Sequence, residues 1–170
     1  MPATADVIYV AITFADDSVG VMQFVTRQKD GQGNTVWTRP ATADVVEAEI
    51  AKSVFDPHLR PIKRWTPVNH HDIPADRSYR NAWRHGPDGF WHDMDHAQRI
   101  HVERVRQARQ PVLDQLDREW HRATGQGRQQ DADAIEAQRQ RLRDLPSTMD
   151  LKHAHTIEEL QALWPVELPR

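Results

Sequence analysis

The stretch Asp72-Ile-Pro-Ala-Asp-Arg-Ser-Tyr-Arg-Asn-Ala-Trp83 separates two kinds of sequence. Before it, β-prone runs alternate with turn residues. After it, and after a second tryptophan at Trp91, comes a long Arg-rich pattern with helical spacing. Ile73-Pro74 pushes the chain out of the helical region. Residues 69–94 therefore read as an ordered connector with a short hairpin, between a head at residues 1–68 and a helical tail at residues 95–170. The expected fold class is α+β: a small N-terminal β-hairpin and helix unit, a short second hairpin, and a C-terminal antiparallel helical hairpin.

Working back from the connector, Val7 to Phe14 and Val19 to Thr26 are apolar, β-prone runs around Asp16-Asp17-Ser18, the pattern of a hairpin. The first run is apolar on both faces, so one side is expected to meet a helix and the other a partner or sheet neighbour. Lys29 to Asn34 reads as a loop and Thr35 to Thr38 as a short strand. Asp44 followed by Glu47 has the form of a capping box. It would open a helix from about Val45 to Val54, with Val46, Ile50 and Val54 on one face and Pro57 ending it. Leu59 to Val68, interrupted by Pro61 and Pro67, suits an edge strand.

Working forward, Ser78 to Trp83 and Phe90 to Asp93 flank His85-Gly-Pro-Asp-Gly89, a tight turn that predicts the second hairpin. Asp95 is expected to cap a helix beginning near His96. Its apolar stripe is Ala97, Ile100, Val105, Ala108, Val112, Leu116 and Trp120. Pro111 should kink or split that helix. Gly125-Gln-Gly127 closes it, and a second helix follows from about Asp131 to Leu145, stopped by Pro146. So short a joint favours an antiparallel pair. Thr156 and Glu159 form a further capping box, starting a short terminal helix that Pro165 stops.

The net charge of −3 gives no global attraction to nucleic acid or an anionic membrane. Cysteine is absent, which excludes disulfides, thiolate metal sites and a Cys nucleophile. No apolar run approaches a membrane span, and Met1 to Asp6 has no basic leader region, so a soluble protein made in a cytoplasm is expected.

The chemistry-bearing residues each have a plain structural explanation. His92, Asp93, Asp95, His96 and His101 bring imidazoles and carboxylates close in sequence, and a small metal-binding protein or enzyme built on His92, Asp93, His96 and His101 is one alternative. A divalent ion needs three or four ligands at roughly 2 Å. This spacing matches no strong metal signature, and helix-start carboxylates account for Asp93 and Asp95. Neither a metal nor another cofactor is expected. No Gly-x-Ser-x-Gly occurs, and Gly31-Gln-Gly33 lacks a phosphate-loop lysine. No catalytic residue emerges, so the chain reads as non-enzymatic. Arg99, Arg104, Arg106, Arg109, Arg118 and Arg122 suggest a nucleic-acid-associated helical protein as a second alternative, but Glu103, Asp114, Asp117 and Glu119 interleave with them, the pattern of a solvated face. Trp and Arg also anchor protein interfaces. The residues expected to bind a partner are Arg77, Tyr79, Arg80, Trp83, Trp91, Trp120 and Trp164.

Ile73-Pro-Ala-Asp-Arg-Ser-Tyr-Arg-Asn-Ala-Trp83, with the Arg-rich helix after it, resembles a segment of small tail-region proteins of tailed bacteriophages and prophages. Arg139-Gln-Arg-Leu-Arg-Asp-Leu-Pro146 is similar to an element of phage tail assembly chaperone and tail-fibre assembly proteins, and Leu163-Trp-Pro165 fits the same pattern. The resemblance covers about residues 72–165. It implies a protein that binds a phage tail or tail-fibre protein, as a virion component or as a chaperone, and that can oligomerise within a tail assembly. It also implies residence in the host cytoplasm during assembly and, for a component, in the virion tail. Where the assembly proteins often carry Ser-Asp-Trp-Thr, this chain has Thr124-Gly-Gln-Gly127, which sets the accessory component slightly ahead of the chaperone.

Overall fold

The computed structural model describes residues 5–52 and 61–169. The chain divides into two compact units, Met1–Asp93 and Met94–Arg170, so the connector up to Asp93 belongs to the first. The fold is α+β. The first unit holds β1 (Ala5–Phe14), β2 (Val19–Lys29), β3 (Thr35–Thr38), α1 (Ala43–Lys52), β4 (Ile62–Val68), β5 (Trp83–Gly86) and β6 (Gly89–His92). The second holds α2 (Met94–Gly125), α3 (Gln129–Thr148) and α4 (Ile157–Ala162).

The first four strands form one antiparallel sheet in the order β3-β2-β1-β4. Alternate side chains of β1 point to opposite faces, and both faces are buried. Val10, Ile12 and Phe14 pack with Phe24 of β2 and with Val46 and Ile50 of α1. Ala11, on the other side, packs with Val19, Ile73 and Trp83. The expected helix covers one face, and the connector with its hairpin covers the other. Each fully buried large apolar side chain in these clusters contributes roughly 1.5–3 kcal/mol. Proline at Pro67 fits the edge position of β4, where its missing donor costs no ladder bond.

Several local expectations shift. The helix α1 begins at Ala43, so Asp44 lies inside the first turn and not at the cap. Val46 N–H donates to the Thr42 carbonyl at 3.0 Å. A hydrogen bond from Thr42 holds the Asp44 carboxyl below its ordinary range. The expected end of α1 at Val54 and Pro57 lies outside the described residues, as do Leu59 and Arg60. The second hairpin starts at Trp83 and not at Ser78, because Ser78–Tyr79 is a turn and Arg80–Ala82 a 3-10 turn. Asp76 accepts from Ser78 N–H at 2.7 Å, a local bond that competes with strand pairing. Gly89 takes φ +98°, which only glycine adopts freely, and returns the chain after Pro87-Asp88.

In the second unit, α2 starts at Met94, so Asp95 also sits within a first turn, where its charge suits the helix dipole. Pro111 does not split α2. It removes one donor only, and Val112, Leu113 and Leu116 around it pack with Leu142 and Leu145 of α3. Gly127, at φ +69°, ends α2 in a Schellman motif: Arg128 N–H donates to Ala123 and Gly127 N–H to Thr124. α2 and α3 are antiparallel: Arg109 reaches Leu142, and Asp117, further along α2, reaches Arg139, further back on α3. The capping box at Thr156 and Glu159 forms as expected.

Pro146 does not stop α3, which continues to Thr148. Proline lacks the N–H that would bond the carbonyl four residues back, here that of Leu142. The Arg109 guanidinium supplies the missing donor from α2, reaching the Leu142 carbonyl at 3.0 Å and that of Arg143 at 2.6 Å. Arg109→Met keeps the apolar stem and should destabilise the helical unit by about 1–3 kcal/mol, the cost of an orphaned buried acceptor. Pro146→Ala restores the donor, so the arginine loss should be smaller in that background. Urea unfolding followed by circular dichroism measures both, and equal losses in the two backgrounds would refute this account.

His101 is buried in α2, and its ring meets Trp164 edge-on at 5.6 Å. Burial, then the charge of Arg104, holds its pKa below the ordinary 6.5. Below that value the unfolded chain takes the proton more readily than the folded one. The stabilising contribution is therefore complete above pH 6.5 and falls as pH drops beneath it. His101→Leu should flatten that acid-side decline in a pH series of denaturant melts.

Candidate functional site

The residues expected to bind a partner separate by exposure. Tyr79 and Trp83 are buried, so neither presents a ring to a partner. Trp83 meets Phe90 edge-on at 5.9 Å, and its indole N–H donates to His92 Nε2 at 3.1 Å. Trp120 is half-buried beneath the Arg139 guanidinium, 5.4 Å from the ring centre. Trp164 packs with Val105, Leu116 and Leu142 and donates to the Leu168 carbonyl at 3.3 Å. These four aromatics hold the fold. Arg77 and Arg80 are exposed, and Trp91 is 51 % exposed.

The hairpin register explains Trp91. Trp83 pairs with His92, Arg84 with Trp91 and His85 with Phe90. Trp83 and Phe90 therefore turn toward the sheet, while Arg84 and Trp91 share the outward face. The indole edge packs over Gly86, where an added Cβ would come within 3.0 Å of it. An indole of up to ~250 Å² left half in water forgoes on the order of 3 kcal/mol of burial.

Beside Trp91 lies a groove of about 450 Å³ lined by Thr13, Asp17, Lys63, Arg64, Arg84, His85, Trp91 and Asp93. Asp17 enters from the β1–β2 turn at φ +59°, a left-handed conformation that aspartate tolerates. Lys63 pairs with it at 2.8 Å, and both side chains are more than half exposed. The lysine, by hydrogen bond and charge, holds the Asp17 carboxyl below its ordinary range. Arg84 pairs with Asp93 at 2.7 Å in a more buried setting. Arg64 donates to the His85 carbonyl and lies 3.5 Å from the Thr13 hydroxyl. Burial, then the Arg64 charge, holds His85 below its ordinary pKa. The wall thus carries three permanent cations against two carboxylates. A neighbouring cleft of about 630 Å³ on the other side of Arg64 and His85 has mainly neutral walls, among them Thr66, Pro67, Val68 and Asn69.

The histidine cluster takes no metal-like form. Among the described residues, no three His, Asp or Glu side chains gather as a metal site. His92 accepts from Trp83, and His101 stands against Trp164. Several arginines of the helical pair are engaged within their own unit. Arg106 pairs with Glu103, Arg128 with Asp131, Arg143 with Glu136, and Arg139 with Asp117 and Glu136. No helix among the described residues is long and apolar enough to cross a membrane.

Sequence reasoning found Trp91 but missed Lys63, Arg64 and Asp17, which reach it only through the sheet order. Arg84 was within reach: the turn at Gly86-Pro-Asp-Gly89 places it opposite Trp91. In comparisons with known proteins, no family model, curated protein or solved structure matches this chain.

The two connector tryptophans should separate in stability. Trp83→Ala should cost about 3–5 kcal/mol, as for a buried large-to-small change. Trp91→Ala should cost clearly less, about 1–2 kcal/mol, since half of its ring is already in water. Chemical denaturation of both variants checks this, and equal losses would make Trp91 a second structural residue.

Proposed function

We propose that this chain is a non-enzymatic bacteriophage tail protein that binds another tail or fibre protein, with Trp91 as its principal anchor. The observation that carries the binding role is the half-exposed indole on a two-stranded hairpin, flanked by Arg84 and a charged groove. A rigid aromatic beside arginine is the composition of an interface hot spot. The resemblance of residues 72–165 to phage tail-region sequences supports the class of partner. The accessory component, retained in the finished tail, is the first form of this reading. The chaperone form, shielding a tail or fibre chain in the host cytoplasm before assembly, is the second.

Quantitative mass spectrometry of purified phage particles from the producing strain tests both. A fixed copy number relative to the tail proteins supports the component. Presence in lysate complexes with a tail or fibre protein, and absence from particles, supports the chaperone. Absence from both overturns the reading. Trp91→Ala should weaken the complex by about 2 kcal/mol, the scale of a hot-spot residue, without loss of fold.

A further inference from the structure

We infer that the groove beside Trp91 is a binding site for an acidic peptide segment of the partner, one that alternates carboxylates with apolar side chains. The inference deepens the proposed tail function, and rests on it for the identity of the partner but not for the chemistry of the site.

Three observations converge. Lys63, Arg64 and Arg84 face one groove, whose carboxylates are Asp17 and Asp93, so a net positive charge remains for a ligand. The two internal ion pairs are unequal. Arg84 and Asp93 are 16 % and 30 % exposed, a held pair that shapes the wall. Lys63 and Asp17 are 57 % and 61 % exposed, and a pair so open to water is weakly held. An incoming carboxylate can therefore replace Asp17 at Lys63 with little loss. Arg64 uses one arm on the His85 carbonyl, and its planar fork keeps further donors for a carboxylate. Trp91 then supplies an apolar surface at the rim for a neighbouring side chain.

Charge, shape and size together favour a peptide over nucleic acid. The chain as a whole is acidic, which opposes a polyanion beyond the groove itself. The volume of about 450 Å³ suits a few residues of an extended chain. The ligand must also offer an apolar group next to its charge, since the exposed Trp91 ring lies beside the cations.

The test uses the full chain and three labelled probes: a glutamate–leucine peptide, its glutamine–leucine counterpart, and a single-stranded oligonucleotide of matched charge. Fluorescence polarisation should show the glutamate peptide binding at least ~10-fold more tightly than the glutamine one, the equivalent of about 1.4 kcal/mol. Lys63→Glu with Arg64→Glu should abolish that preference, and Trp91→Ala should weaken both peptides. The indole N–H resonance of Trp91, assigned by its loss in Trp91→Phe, should move on peptide addition. Equal binding of the two peptides, tighter binding of the oligonucleotide, an unmoved Trp91 resonance or no binding at all would overturn the groove assignment. None of these results bears on the particle analysis. Conversely, absence from particles and tail complexes would remove the phage partner while leaving peptide recognition standing.

Discussion

β1 is buried on both faces, and the architecture of the first unit follows from that constraint. Val10, Ala11, Ile12, Thr13 and Phe14 are all nearly inaccessible to water. A strand of this kind needs two covers, since an uncovered apolar face forfeits roughly 25 cal/mol for each Å² left in water. α1 supplies one through Val46 and Ile50. The segment around Ile73 and Trp83 supplies the other. The connector is thus the third layer of a sandwich, and its ordered turns serve to lay Trp83 on the sheet. That placement fixes the hairpin, and the hairpin register in turn sends Arg84 and Trp91 outward.

The helical unit answers a different constraint. Its two long helices are mostly polar, and each contains a proline within its bounds. The core between them is a narrow cluster, Val105, Leu116, Leu142 and Leu168, with half-buried residues around it, and Leu151, Ile157 and Leu160 are buried outside it. Polar interactions between the helices therefore carry more of the specificity. Arg109 satisfies the carbonyl that Pro146 orphans, and Arg139 spans Asp117, Glu136 and the Trp120 ring. An arginine with this many partners in a half-buried setting acts as a crosslink between helices and is not available as a surface charge for nucleic acid.

Much of this was legible from local pattern. Two β-prone apolar runs around a polar turn located β1 and β2, the Gly-Pro-Asp-Gly turn located the second hairpin, and the Thr156–Glu159 spacing located α4. The misplaced starts have a common cause. Asp44 and Asp95 favour a helix N-terminus both as caps and as first-turn charges, and the sequence does not separate the two. Pro146 misled because its compensation comes from a residue 37 positions away in numbering, on another helix. Tyr79 and Trp83 were read as exposed anchors because a tryptophan beside arginine looks the same in sequence whether it packs inward or outward. For Trp83, parity within β5–β6 decides the matter, and it requires knowing which face the sheet takes; Tyr79 lies in the turn before β5. The groove was illegible because Lys63, Arg64 and Asp17 come from β4 and the β1–β2 turn, adjacent only after β4 pairs with β1.

The same twice-covered sheet gives the groove its physical character. Thr13 and His85 at its floor are buried, and Arg64 is tied to the backbone of β5, so these groups are positioned before any ligand arrives. Preorganised groups lose little freedom on binding, which leaves more of the gross attraction as affinity. Trp91 belongs to the same economy. An exposed indole costs the isolated protein apolar burial, yet it is a stiff ring on a short hairpin, seated over a glycine that admits no other side chain without displacement. A stiff ring beside arginine is the composition of an interface hot spot, and the acidic peptide proposed for the groove would bring to it both a negative charge and an apolar face.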